Sequence, residues 1–74
     1  LPNTMDIHIG QAIEHVLREQ GRSASWLAKQ LHCDRTNIYK IFKRASIDTV
    51  LLQRISAALD FDFFRLYVKK PGGM

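Results

Sequence analysis

Only one cysteine, Cys33, occurs in the 74 residues, so no internal disulfide can staple the fold. That fits a reducing, cytoplasmic setting. No C-x-x-C or H-x-x-x-H pair is present, and His8, His15 and His32 are not spaced to join Cys33 around a metal. Cys33 therefore reads as a small, half-buried filler in a turn. No apolar run approaches the roughly 20 residues of a membrane span. No signal peptide, internal repeat, low-complexity tract or strand-like alternation is visible. An enzyme has little support. No nucleophile, base and orienting acid fall in one cleft, no glycine-rich loop cradles a phosphate, and no cofactor or small-molecule ligand is implied.

What is present is one domain's worth of chain. A domain this short buries only about 60% of its unfolded surface, so its stability is modest. Hydrophobic residues make up 46%, ordinary for a globule and too many for a disordered chain. The net charge is +4, and it is not spread evenly. Residues 1–34 carry a net of −1 and residues 45–74 a net of +1. Residues 35–44 hold Arg35, Lys40, Lys43 and Arg44 with no acid, so this decapeptide equals the whole excess. A charge run is commonly a solvated face. Here Thr36 and Tyr39 stand among the cations on one side of a short helix, while Ile38, Ile41 and Phe42 take the other. That pattern favours a helix facing phosphates and bases.

Taken in order, the chain predicts five short helices. The first runs from about residues 6–8 to Gln20, with Ile9, Ala12, Ile13, Val16 and Leu17 as its buried stripe and Gly21 closing it. The second starts at an N-cap Ser23 and ends near Leu31, with Leu27, Ala28 and Leu31 inward and Trp26 as a lid over the core. His32-Cys33-Asp34 is the turn, and Asp34 is expected to cap the third helix with its side chain. A turn this tight forces a steep crossing. The fourth helix is expected to take Ser46 as its N-cap, with Asp48 in the first turn and Leu51, Leu52, Ile55, Ala58 and Leu59 inward. Asp62 is expected to cap a last helix over residues 63–67, whose aromatic residues and Leu66 close the core. Residues 1–5 and 69–74 are read as flexible ends, with Leu1–Thr4 ahead of a natural start at Met5, and residues 6–68 as the domain.

The corner A-x-x-L-H-x-D-x-x-x-I, within W-L-A-K-Q-L-H-C-D-R-T-N-I-Y-K-I, resembles the phage-repressor and Cro-like (XRE-type) helix-turn-helix family. So does S-I-D-T-V-L-L-Q-R-I-S-A-A-L-D-F-D-F-F behind it, and the likeness covers about residues 7–67. It implies an all-α, lambda-repressor-like bundle of five helices whose second and third form the helix-turn-helix. It also implies double-stranded DNA as partner, a transcription-regulating role in a bacterial or phage cytoplasm, and binding commonly as a homodimer on half-sites one DNA turn apart. Carried over by position, Arg35, Thr36 and Lys40 would touch bases, with Tyr39 and Lys43 beside them. Ser23, Ser25, Lys43, Arg44 and Ser46 would touch the DNA backbone. Two positions depart from the pattern. His32 stands where glycine is common and must accept a positive φ or adjust the turn. Ala24 stands where a phosphate-binding glutamine is common. The reading from a different class is a protein-interaction module, an antitoxin or adaptor built on the same bundle. Asn37 reads as turned toward the protein.

Overall fold

The computed structural model describes residues 7–68, so the expected flexible ends lie outside the described residues. Four α-helices and one 3₁₀ turn follow one another: α1 Ile9–Glu19, α2 Ala24–Leu31, α3 Arg35–Phe42, α4 Thr49–Leu59 and the 3₁₀ turn Phe63–Tyr67. No strand occurs among the described residues. α2 packs against α3 and α4, α1 against α3, and the 3₁₀ turn against α4. Ile9, Ile13, Leu17, Leu27, Ala28, Leu31, Ile38, Ile41, Leu52, Ile55, Leu59 and Phe63 form one core where the helices converge. This is the inward stripe expected of each helix. Ala12, Val16, Leu51, Ala58 and Phe42 are half-buried at its rim, as are Trp26 and Cys33. Trp26 also carries the Arg22 guanidinium 4.0 Å from its ring centre, which shields the exposed side of the indole.

Three helices end in the same way. Gly21, His32 and Asp60 take φ of 70°, 58° and 51°. The next residue in each case donates its amide back five positions along the chain: Arg22 to Leu17 at 3.0 Å, Cys33 to Ala28 at 2.9 Å, and Phe61 to Ser56 at 3.1 Å. The left-handed residue is what lets the chain reverse and satisfy those end carbonyls. Two further carbonyls at helix ends are met from other helices. Arg54 donates to Leu31 O at 3.0 Å, and Gln20 Nε2 donates to Leu59 O at 2.7 Å.

The helix starts correct the sequence reading in several places. α4 is capped by Asp48, whose Oδ1 accepts from Leu51 N at 2.8 Å; Ser46 lies outside the helix and is exposed. The reason is Ile47. With Asp48 as cap, Ile47 and Leu52 take the two positions that staple a helix entrance, and both lie in or against the core. Asp34 occupies the cap position of α3 in extended backbone, yet its carboxylate makes no capping bond. α1 has a cap that the sequence did not announce: His8 Nδ1 accepts from Gln11 N at 3.1 Å. The expected fifth α-helix is a 3₁₀ turn of five residues capped by Asp62. Of its apolar side chains only Phe63 is fully buried; Leu66 is half-buried, while Phe64 and Tyr67 are exposed. A segment this short has too few inward positions to bury them all.

Candidate functional site

α3 is eight residues long, and Ile38 and Ile41 anchor it in the core at 0% and 2% exposure. At about 100° per residue, the side opposite that pair carries Thr36, Tyr39, Lys40 and Lys43, with Arg35 at its edge. All five side chains are exposed, as are Arg44, just past the end of the helix, and Asn37. Asn37 therefore does not face the protein as its sequence position implied. Its angular position beside Ile41 borders the core without entering it.

Both ends of α3 are held by main chain. At the start, the left-handed His32 closes α2 and sends the chain through Cys33 and Asp34 directly into α3. At the far end, the first amides of α1 take over. Ile9 N donates to Ala45 O at 3.1 Å and Gly10 N to Arg44 O at 3.0 Å. These amides have no partner within their own helix. Here they fasten α1 to the segment that carries Arg44. The approach is close enough that only glycine fits at position 10. A Cβ there would sit 2.7 Å from Arg44 O and closer still to the carbonyl oxygens of Ile41 and Phe42.

The cations of this face are electrostatically unspent. The close pairs of acidic and basic side chains among the described residues lie along α1: Glu14 with Arg18 at 2.6 Å, and Glu19 with His15 at 3.8 Å, the latter an ion pair only when the imidazole is protonated. None involves Arg35, Lys40, Lys43 or Arg44. Two shallow hollows flank the face. Thr36, Asn37 and Lys40 border one, beside the corner residues His32, Cys33 and Asp34. Tyr39, Phe42 and Lys43 border the other, opposite His8, Gln11 and Glu14 of the first helix and its cap. Tyr39 leans toward that second side, edge-on to Phe42 with ring centres 6.0 Å apart. So Thr36 and Lys40 are brought together on one shoulder, and Tyr39 and Lys43 on the other.

The remaining candidates lie off α3. Ser23 and Ser25 are exposed at the start of α2, where Ser23 Oγ already accepts from Trp26 N at 3.1 Å and keeps its own hydrogen to donate. Ser46 is exposed in the segment after α3. Among the described residues no group of three His, Cys, Asp or Glu could hold a metal ion, and no helix is long and apolar enough to cross a membrane. Sequence reasoning missed the clamp at Gly10. Its only signal was a glycine one step inside a predicted helix, a place where a packing reason should be sought. No family model, curated protein or solved structure matches the chain.

Proposed function

We propose that this chain is a sequence-selective, double-stranded DNA-binding module of the phage-repressor and Cro-like type, acting in transcriptional regulation. In this reading α2 and α3 form the helix-turn-helix of a lambda-repressor-like fold, with the 3₁₀ turn in the place of the fifth helix. The observation that carries it is α3 with the two residues that follow it: Arg35, Lys40, Lys43 and Arg44, cations equal to the chain's whole net charge, stand exposed there without ion-pair partners among the described residues. A solvated helix kept only for solubility gains by pairing some of its cations with acids; this one has none. Because α3 is fixed at both ends, it can enter a major groove as a rigid reader.

The division of labour follows from position. Lys43 and Arg44, with Ser46, Ser23 and Ser25, hold phosphates and set register. Arg35 and Lys40 donate to guanine O6 and N7, Thr36 offers a hydroxyl or a methyl, and Tyr39 closes the second shoulder. Two copies on adjacent half-sites would read a palindrome.

The second reading is an antitoxin or adaptor, and Val50, Tyr67 and Val68 favour it, being 66%, 44% and 67% exposed. Titration of a labelled duplex at several salt concentrations separates the two. Two to four phosphates neutralised by this face give a slope of log K against log salt of about −2 to −4. Absent or salt-indifferent binding sinks the DNA reading and leaves the protein-partner one.

A further inference from the structure

We infer that Asn37 is a base-reading residue and that the base it reads is adenine; the inference rests on the DNA-binding reading above and adds a specificity position to it. Three observations carry it. Asn37 is exposed in the first turn of α3. Neither end of its amide takes part in any side-chain hydrogen bond among the described residues. It borders the same hollow as Thr36 and Lys40, on the shoulder away from Tyr39. Asparagine is a weak helix former, because its side chain competes for backbone partners outside the helix. Here it neither caps nor bonds the backbone with its side chain, so the helix gains nothing from it.

The chemistry of the free amide is specific. One Nδ2–H can donate to adenine N7 while Oδ1 accepts from the adenine 6-amino group, a bidentate pair that no other base edge in the major groove completes. Thr36 and Lys40 flank it on the same shoulder. The three side chains then address neighbouring base pairs: Lys40 with a donor for guanine, Asn37 with a donor and acceptor for adenine, Thr36 with either a hydroxyl or a methyl.

The test is selection of bound sites from random duplex DNA by the whole chain and by Asn37→Ala, followed by titration of the selected site with one adenine replaced by 7-deazaadenine, which lacks the N7 acceptor. The parent should select adenine at one position of each half-site and lose roughly 5- to 150-fold in affinity on the 7-deaza site. Asn37→Ala should lose that preference and bind both duplexes alike, with a melting temperature equal to the parent's or slightly higher, because the residue is exposed and alanine is the better helix former. An unchanged consensus in Asn37→Ala, or a lost preference for a base other than adenine, overturns the assignment while leaving the DNA reading intact. Failure of the parent to select any site removes the DNA reading itself, and this inference with it.

Discussion

Gly10→Ala should unseat α1 from the far end of α3. The added Cβ would lie 2.7 Å from Arg44 O and closer to two more backbone carbonyls. Carbon in ordinary contact sits at roughly 3.5 Å, so α1 must retreat by about 1 Å. None of the obstacles is a flexible side-chain end that can swing away. Retreat stretches the bonds from Ile9 N to Ala45 O and from Gly10 N to Arg44 O, each worth about 0.5–1.5 kcal/mol net. It also loosens Ile9 and Ile13 in the core, a strain of the size of other overpacked interiors, about 1–3 kcal/mol. Against this stands the helix-propensity gain of alanine over glycine, at most about 1 kcal/mol. The balance is a loss of about 2–4 kcal/mol, a large share of the roughly 4–11 kcal/mol that a chain of this length has. The melting temperature should fall by roughly 10–30 °C, followed by far-ultraviolet circular dichroism. A Gly10→Ala variant that melts with the parent, or above it, would refute the close approach and with it the fastening of α3.

Other substitutions test other joints. Asp48→Ala removes the α4 cap and should cost about 1 kcal/mol in urea denaturation, whereas Ser46→Ala should be near neutral; the reverse order would restore Ser46 as the cap. His32→Gly relieves a left-handed residue and should leave stability equal or raised by up to about 1 kcal/mol, while His32→Val should cost about 1–2 kcal/mol; equal effects would deny the left-handed turn. Ala28→Leu crowds the contact between α2 and its neighbours and should cost about 1–3 kcal/mol, read from the same denaturation curves. Lys43→Ala should weaken binding to every duplex alike and reduce the salt slope by about one unit; an altered consensus with the slope unchanged would move Lys43 from phosphate to base.

The core was legible because burial writes itself directly as helical spacing. Ile9, Ile13 and Leu17 in α1, Leu27 and Leu31 in α2, Ile38 and Ile41 in α3, and Leu52, Ile55 and Leu59 in α4 all sit on the predicted stripes and are buried. At His32, which stands where the resembled family commonly has glycine, the sequence left a positive φ or an adjusted turn open, and the chain takes the positive φ. Helix starts were less legible. Ser46 and Asp48 are chemically equivalent caps, and what chooses between them is the seating of Ile47 against the core, a tertiary fact. Whether residues 63–67 wind as 3₁₀ or α is decided by a few degrees of backbone that no side chain there announces. The clamp at Gly10 depends on a helix more than thirty positions away. For the candidate site, the charge of residues 35–44 could be read from the chain, but not which shoulder each side chain would occupy. Asn37 was misplaced because a residue bordering the buried pair by angle can still stand in solvent.

The central claim is that the exposed face of α3 reads DNA sequence, and site selection from random duplex DNA with the parent, Arg35→Ala and Lys40→Ala tests it most directly. The parent should enrich a common motif, and each variant should lose preference at one or two positions of the half-site, by about 1–3 kcal/mol of discrimination. Their melting temperatures should stay with the parent, since both side chains are exposed and unpaired. A parent that enriches nothing, or variants that bind more weakly yet keep the parent's motif unchanged, would contradict the claim that these residues read the groove.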